Sequence, residues 1–342
     1  MIDWEGLKEA YDQRRFYSLQ LEVGDRCEQS CIYCYMNALP VKRNTLSKEM
    51  VIDVLDDCRD MGISAIEWLG GEPLLRKDIF EMMEHSRELG MKNNIWTGGL
   101  PLRDPEVVER CVDLAQNGLI SVHVSTLDPA LYEELHPGRY GRDLDVILEG
   151  IDYARSLGYP PERMLNSVTY TGLQSAEDMI RTMDYFMEKY SIMTSLNVYH
   201  TYLRPDQDGE DLRKFVPDKG DVAKVYAHYS RQYGSDPLPM NCVNKQYCSA
   251  TVALLCDGSV TPCATIRNKD TPSLHRGGRF SEMVEENKSD LIFERFRKRE
   301  NLPPPCRSCP LSDGCFGCRS RAFASGNGIY GMDPRCFRSA GD

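Results

Sequence analysis

The sequence lacks an excess of basic residues. Its 41 lysines and arginines are outnumbered by 52 aspartates and glutamates, which gives a formal net charge of -11. Proteins that bind nucleic acid or anionic membranes neutralise phosphates with Lys and Arg, so this charge argues against either as the main partner. The acidic surplus is more plausibly a solubility property. We expect no nucleic acid among the partners.

Long hydrophobic runs are also missing. No apolar stretch approaches the 18 residues that a membrane-spanning helix needs, and no basic segment followed by an apolar one stands at the N-terminus, as in a secretory leader. We therefore expect a cytoplasmic protein with no membrane partner. Cytoplasmic cysteines stay reduced, so the 14 cysteines are better explained as metal ligands than as disulfides.

Short apolar runs alternate with longer amphipathic ones up to about residue 203, which is typical of repeated strand-helix units. Six such units, joined by right-handed crossovers, would form either a barrel or an open doubly wound sheet. We predict an α/β domain over 1–203, a charged connector with a bridging helix over 204–236, and a cysteine-rich domain over 237–342. Cys58 and Cys111 fall on apolar helical stripes and are predicted to be small core residues.

Three cysteines with C-x3-C-x2-C spacing, Cys27, Cys31 and Cys34, follow the first predicted strand. Three thiolates that hold a four-iron cluster leave one iron without a protein ligand, so a small molecule can bind there. A structural zinc site would normally supply a fourth ligand nearby. The next sulfur is that of Cys58, inside a helical pattern. The spacing therefore favours an iron-sulfur cluster with one open iron.

This motif, with "GGEP" after the second predicted strand, resembles the radical S-adenosylmethionine (SAM) superfamily. The resemblance implies a partial (β/α)6 TIM-like barrel, a [4Fe-4S] cluster on the three thiolates, and SAM chelating the open iron. It places Tyr33 near the adenine. It also implies SAM contacts from Gly70, Gly71, Glu72, Pro73 and Ser125. Taken alone, "GGEP" is also an ordinary turn, and Ser125 or Asp128 could equally cap the helix that begins at Pro129.

In that superfamily the cluster donates one electron to SAM, whose C–S bond breaks to give a 5'-deoxyadenosyl radical. The radical then removes a hydrogen atom from a substrate C–H bond. The cofactor carries the difficult chemistry, while the protein orients the substrate and excludes water and oxygen. The resemblance thus implies an oxygen-sensitive oxidoreductase or maturase, with flavodoxin or ferredoxin as the reductant.

Nine cysteines fall between residues 242 and 336, in a pattern that closely resembles the SPASM extension of radical SAM enzymes that mature peptides, sulfatases and cofactor precursors. There the extension usually holds two auxiliary [4Fe-4S] clusters, so the resemblance implies three clusters in total. The nearer cluster would be bound by Cys242, Cys248, Cys263 and Cys318, and the outer one by Cys306, Cys309, Cys315 and Cys336. Zinc is the alternative, since C-x2-C pairs are also common zinc spacings.

The sequence departs from the SPASM pattern at two points. The gap before Cys318 is two residues rather than three, which could change which thiol serves which cluster. Ala264 stands where the sulfatase-maturating enzymes have an aspartate that acts as a base, so a proton acceptor must come from elsewhere or no such step occurs. The ninth cysteine, Cys256, is not needed as a ligand; it is either a buried strand residue or a hydrogen-atom donor, as in radical SAM epimerases.

Two classes of substrate stay open. Many relatives oxidise or cross-link a peptide or protein side chain, with the auxiliary clusters relaying electrons, and this is our first hypothesis. Against it, only about sixteen residues precede the first predicted strand, so a winged peptide-recognition domain is expected to be missing. The alternative is dehydrogenation or epimerisation of a small metabolite or cofactor precursor, which Cys256 and Ala264 favour slightly. An iron-sulfur electron carrier or a zinc scaffold would be a non-enzymatic third possibility.

Overall fold

The computed structural model describes residues 2–41, 44–200, 212–234, 238–268 and 271–338. Its first part alternates strands and helices as predicted. The strands are β1 (Ser18–Glu22), β2 (Ala65–Leu69), β3 (Lys92–Thr97), β4 (Leu119–His123), β5 (Met164–Tyr170) and β6 (Met193–Val198). The helices are α1 (Trp4–Asp12), α2 (Lys48–Asp60), α3 (Ile79–Glu88), α4 (Pro105–Leu114), α5 (Pro129–Leu135), α6 (Asp143–Ser156) and α7 (Ala176–Tyr190).

The order of the six strands decides between the two predicted architectures. Each strand pairs in parallel with its neighbour in sequence, from β1 to β6. A doubly wound sheet would reverse its order part-way along. The sequential order is that of a barrel, here left incomplete, and it brings the C-terminal ends of all six strands to one face.

Local signals in the sequence set several element boundaries. The Ser47 side chain accepts a hydrogen bond from the Met50 amide and begins α2, and Asp128 caps α5 in the same way. Gly62, with φ +75°, ends the α2 region as predicted. β6 starts two residues earlier than predicted, and the last three residues of the predicted strand lie outside the described ranges.

Successive residues of the barrel strands point in turn to the apolar core outside the sheet and to a polar barrel interior. On β1, Leu19 and Leu21 are fully buried in the apolar core, whereas Gln20 and Glu22 belong to the other face. Glu67 on β2 also faces inward, where it accepts hydrogen bonds from Asn94 and from Tyr247. Polar side chains inside the barrel can bind a polar ligand at its open end.

The second part of the chain consists of short elements. The helices are α8 (Lys219–Tyr233), α9 (Lys245–Ser249), α10 (Phe280–Glu286), α11 (Lys288–Leu291), α12 (Pro304–Arg307) and α13 (Arg319–Ala322), and the strands are β7 (Thr251–Leu254) and β8 (Val260–Thr261). β7 pairs in parallel with β1, and β8 pairs antiparallel with β7. The barrel sheet therefore continues across the predicted domain boundary at 237, which itself stays a prediction.

Two predicted core cysteines are placed as expected, since Cys58 and Cys111 are fully buried on α2 and α4. None of the helices in the described ranges is both long and apolar enough to cross a membrane.

Candidate active site

The loop that carries Cys27, Cys31 and Cys34 leaves the end of β1 and is held by the "GGEP" loop that leaves β2. The Gly71 amide donates to the Gly24 carbonyl at 2.8 Å, and the Glu72 amide donates to the Arg26 carbonyl at 2.7 Å. Two backbone hydrogen bonds thus extend the pairing of β1 with β2 beyond the strands. The sequence motifs that suggested a shared site lie side by side.

The two glycines of "GGEP" are required by this close approach. A Cβ atom on Gly71 would lie 2.2 Å from the Arg26 carbonyl oxygen, and one on Gly70 would lie 2.4 Å from the Gly24 carbonyl oxygen. Gly70 also has φ +138°, which disfavours any larger residue. Only glycine lets the second loop approach the cysteine loop this closely.

Glu72 ties the same loop to the end of β3. Its carboxylate accepts hydrogen bonds from the Thr97 hydroxyl at 2.9 Å, the Gly98 amide at 2.7 Å and the Leu74 amide at 3.2 Å. Burial raises the pKa of Glu72 to about 7. The predicted SAM contact of Glu72 and of its neighbour Pro73 stays a prediction, and the structure gives the carboxylate a positioning role as well.

The three thiols of the loop interact with one another. Burial raises the pKa of Cys27 to about 12, and the neighbouring Cys34 adds to this. The pKa of Cys31 is raised by burial and then by Cys27 and Cys34. Backbone amides of Gln29 and Ala38 donate to the sulfurs of Cys27 and Cys34, each at 3.4 Å. Three converging thiols with amide donors form a donor set suited to an iron-sulfur cluster.

Tyr33 lies in a buried aromatic group on the β4 side of the loop. Its ring stacks on His123 with 5.3 Å between centroids, and its hydroxyl lies 2.8 Å from Nε2 of His136. Nδ1 of His136 lies 2.9 Å from the Tyr132 carbonyl, which can only accept. Neutral His136 therefore donates from Nδ1 and accepts the Tyr33 hydrogen at Nε2. Burial lowers the pKa of His136 to about 4, which keeps this neutral form.

Ser125 joins the same group. Its hydroxyl lies 2.9 Å from Nε2 of His123 and accepts from the Thr169 amide at 3.0 Å. Burial raises the pKa of Tyr33, and a hydrogen bond with Ser125 opposes this. The residue predicted to contact SAM from β4 thus lies beside the residue predicted to contact its adenine, while Asp128 alone caps α5. The SAM contacts themselves stay predictions.

On the other side of the loop, Glu22 at the end of β1 organises a second buried group. Its carboxylate pairs with Arg267, whose guanidinium lies 5.5 Å from the centre of the Tyr35 ring. Glu22 also accepts from the Cys256 amide at 3.2 Å. Cys256 is two residues past the end of β7, not within the strand, and packs against Cys27. Burial raises the pKa of Cys256 above its ordinary value, so the group stays a thiol.

Four of the C-terminal cysteines influence each other. A hydrogen bond with Cys242 raises the pKa of Cys248 well above its ordinary value, as do burial and the nearby Cys263 and Cys318. Burial raises the pKa of Cys263 to about 12, with Cys318 and Cys242 adding to it. The next residue, Ala264, donates its amide to Gln20 of β1 at 2.9 Å. These four thiols, the inner group, are the four assigned above to the nearer cluster.

The remaining four thiols are linked in the same way. Burial raises the pKa of Cys306, with contributions from Cys336 and Cys309. Burial raises the pKa of Cys315 to about 12, again with contributions from Cys336 and Cys306. This outer group consists of the second set of four that the resemblance implies. Which thiols bind which cluster stays a prediction.

Arg319 lies between the inner and outer groups. It is 1% exposed, and its guanidinium donates to the carbonyls of Gly317 (3.2 Å), Ile329 (3.0 Å), Gly331 (2.8 Å) and Phe316. Its positive charge acts on Cys318, Cys248 and Cys306. One buried cation thus fixes the backbone between two sets of thiols and offsets their negative charge when they are deprotonated.

A profile of the radical SAM superfamily matches residues 21–186. A probable GTP 3',8-cyclase of Methanopyrus kandleri is 34% identical over 228 residues, which cover 64% of this chain and 69% of that protein. The chain belongs to the radical SAM superfamily. Another probable GTP 3',8-cyclase, from Methanosarcina mazei, is 25% identical over 276 residues, which cover 75% of this radical SAM protein and 79% of the relative.

Solved structures resemble the radical SAM protein over almost its whole length. Streptococcus suis SuiB bound to the precursor peptide SuiA has a TM-score of 0.68 at 18% identity, and the match covers 97% of this chain and 79% of SuiB. Native anSMEcpe with bound AdoMet and Cp18Cys peptide has a TM-score of 0.68 at 15% identity, and the match covers 92% of both chains. This likeness confirms the predicted fold class, a partial (β/α)6 barrel followed by a SPASM domain.

The residues of the radical SAM site fit a four-iron cluster with one open iron. Family membership supports one [4Fe-4S] cluster and SAM, and the three loop thiols would supply the ligands, with amide donors at Cys27 and Cys34. All 14 cysteines are free. Within the described ranges, no three Cys, His, Asp or Glu side chains are placed to hold a single metal ion. A four-iron cluster is larger than one ion, so its thiolates stand farther apart.

Several residues of the site carried no signal in the sequence. His136 follows a short helix, and Gln29 lies between two cysteines; Gln29 accepts from Tyr132 at 3.0 Å and donates to the Gly98 carbonyl at 2.6 Å. Arg267 reaches Glu22 from 245 residues away. Among these site residues, only Arg319 and Arg321 had a signal in the sequence, because they lie directly after the predicted ligand Cys318. The other contacts depend on which strands become neighbours.

Proposed function

We propose that this radical SAM enzyme oxidises or cross-links a side chain of a peptide or protein. The observation that carries the proposal is the arrangement of eight C-terminal thiols in two groups of four, with the inner group fixed to β1 through Ala264 and Gln20. A group anchored to a barrel strand is placed to take an electron from a substrate held in the barrel. Two structures of similar fold were solved with peptides bound, which supports this class of substrate.

When bound, the cluster and SAM supply a 5'-deoxyadenosyl radical that abstracts a substrate hydrogen atom. The chain itself orients these groups. Cys27, Cys31 and Cys34 would hold the cluster, the "GGEP" loop would position SAM, and Tyr33 with Ser125 would contact the adenosyl part. Neutral His136 fixes the Tyr33 ring, so a shift of this ring would misplace the substrate hydrogen.

The eight C-terminal cysteines would hold two auxiliary [4Fe-4S] clusters, three clusters in all. These clusters would supply an acceptor for the electron that remains on the substrate after removal of one hydrogen atom. Cys248 and Cys318 are buried, which limits access of water to that side of the inner group. Flavodoxin or ferredoxin would supply the electron that starts each turnover.

A second candidate function is the dehydrogenation or epimerisation of a small molecule. Two observations favour it: the relatives by sequence are named GTP 3',8-cyclase, and the Cys256 thiol packs against Cys27. A buried group that stays protonated has the S–H bond that a hydrogen-atom donor needs. For epimerisation, Cys256 would give a hydrogen atom to the substrate radical, and the thiyl radical left on Cys256 would take an electron from the reductant and a proton before the next turnover.

The test is release of 5'-deoxyadenosine by the anaerobically reconstituted protein with SAM and a reductant. Host extract is separated by ultrafiltration into peptide-sized and metabolite-sized fractions. We expect stimulation by the peptide-sized fraction and a product with a changed mass. Stimulation by the small fraction alone would contradict the peptide proposal, and absence of SAM cleavage would contradict both candidates.

Cys256→Ala separates the two candidates further, with Cys111→Ala as the matched control because both thiols are buried away from solvent. If the enzyme is an epimerase, Cys256→Ala abolishes product while 5'-deoxyadenosine is still formed. An unchanged product yield would remove the donor role of Cys256.

A further inference from the structure

A cavity of about 330 Å³ lies between the barrel and the C-terminal cysteine region. Its lining includes His200, which follows the end of β6, Val216, and Lys219 at the start of α8. From the C-terminal region come Arg321 and Arg335. The volume is at the lower end of the range for ligand sites, which suits one functional group of a substrate rather than a whole peptide.

The charges around the cavity are positive. Lys219, Arg321 and Arg335 all line it, and no acidic side chain is among its lining within the described ranges. Arg321 is 2% exposed and pairs with Asp333 at 2.8 Å, so its charge is largely offset. Arg335 forms no ion pair in the part of the chain that the structure describes. Among the described residues, no carboxylate therefore offsets the charge of Arg335, in a protein whose net charge is -11.

His200 lies close to the same arginine charges. Burial lowers its pKa to about 3, and the positive charges of Arg321 and Arg335 lower it further. Its Nε2 lies 3.1 Å from the Ser320 hydroxyl. His200 therefore adds a neutral polar group to the cavity wall, next to the two guanidinium groups.

The cavity adjoins both redox regions. Val216 packs in one apolar group with Tyr33, the residue before the third cysteine of the barrel loop. In the C-terminal region, one carboxylate oxygen of Asp333 accepts a hydrogen bond from the Cys318 amide at 2.8 Å. The same oxygen pairs with Arg321, which lines the cavity. A substrate group held here would lie between the SAM site and the inner thiol group, where the proposed reaction needs it.

We propose that this cavity binds an anionic group of the substrate, a carboxylate or a phosphate, through Arg335 and Lys219 with Arg321 behind them. The inference rests on the proposed function, because it treats the space between barrel and cysteine region as the substrate site. Guanidinium and ammonium groups are the usual protein partners of both anions. A substrate without a negative charge would leave the half-buried Arg335 without an ion pair among the described residues.

The test measures binding of two probes to the reconstituted holoprotein, inorganic phosphate by ³¹P NMR and acetate by saturation transfer to its methyl group. We expect Arg335→Gln to weaken binding of the preferred anion at least tenfold, and Lys219→Gln to weaken it less. Arg231→Gln is the matched control, since it removes an exposed cation at the far end of α8. Tighter binding of phosphate indicates a phosphate group, and equal or tighter binding of acetate indicates a carboxylate.

Two results would overturn the inference: the wild type binds neither probe, or Arg335→Gln binds them as well as Arg231→Gln does. Arg335 could instead serve only to offset the charge of the outer thiols, since it precedes Cys336. In that case Arg335→Gln changes iron content or the potential of the auxiliary clusters while anion binding is unaltered. Failure of the proposed function is seen separately, as absence of SAM cleavage by the wild type.

Discussion

The two cysteine regions of this protein are held in shape by different means. The barrel loop is fixed by backbone hydrogen bonds that continue the pairing of β1 and β2, and glycines at 70 and 71 let the two loops meet. The C-terminal region has only helices of three to seven residues from Phe280 to Ala322 among its described elements. There the Arg319 side chain fixes the backbone by donating hydrogen bonds to four carbonyls. The backbone of a loop next to a sheet can be fixed by hydrogen bonds to that sheet. A loop far from a sheet needs other contacts, such as those of a buried cation or a metal, to fix its backbone.

The largest expected contrast between the regions is in their own cysteines. Cys31→Ala should reduce SAM cleavage more than a thousandfold, because the cluster that reduces SAM loses a ligand. Cys309→Ala, in the outer group, should leave 5'-deoxyadenosine formation within about threefold of wild type while product formation is lost. Both are measured in one anaerobic assay with iron content as a control. Equal loss of SAM cleavage in the two variants would contradict the separate roles.

Arg319→Met tests the buried cation. The variant keeps much of the side-chain volume but leaves four buried carbonyls without their donors, so we expect a loss of about 3–5 kcal/mol in the free energy of unfolding. Iron bound by the C-terminal region should fall with it, while the barrel cluster is retained. Denaturant unfolding and iron analysis measure the two effects. Arg276→Met, at an exposed site, is the control, and a similar loss there would rule out a special role for Arg319.

Gly71→Ala tests the contact between the two barrel loops. A methyl group 2.2 Å from the Arg26 carbonyl forces the loops apart, at a cost of about 1–3 kcal/mol, and SAM should bind at least tenfold more weakly. The control lies in the other cysteine region: a Cβ on Gly314 would have its nearest neighbour at 3.7 Å, so Gly314→Ala should change neither stability nor SAM affinity. Equilibrium binding of SAM to each holoprotein variant measures the difference, and equal SAM affinity of the two variants would contradict the prediction.

The smallest expected effect is a pH dependence on the barrel side. Burial lowers the pKa of His136 from 6.5 to about 4, so the unfolded chain binds more protons than the folded one between these values. The contribution of His136 to stability is complete above pH 6.5 and declines as the pH falls towards 4, by about 2 kcal/mol between pH 6.5 and 5. His136→Gln should remove this decline in thermal unfolding scans, whereas His275→Gln, at an exposed site, should retain it.

Much of the fold was predictable because its signals are local. The helix over Ala176–Tyr190 and the strand over Met164–Tyr170 match the apolar patterns residue by residue, and Ser47 and Asp128 cap the helices that follow them. The helix Trp4–Asp12 was not predicted, although Asp3 caps it. Its role is to pack beside α9, a contact with the far end of the chain that no local pattern shows.

The sequence by itself determined the spacing of Cys27, Cys31 and Cys34, the strand-helix alternation and the eight C-terminal thiols, because each depends on residues close together in the chain. Only the tertiary structure decided that Cys256 packs against Cys27. It also decided that Arg267 pairs with Glu22. These contacts follow from the pairing of β7 with β1, and long-range pairing is set by burial of the whole sheet, which local patterns do not specify.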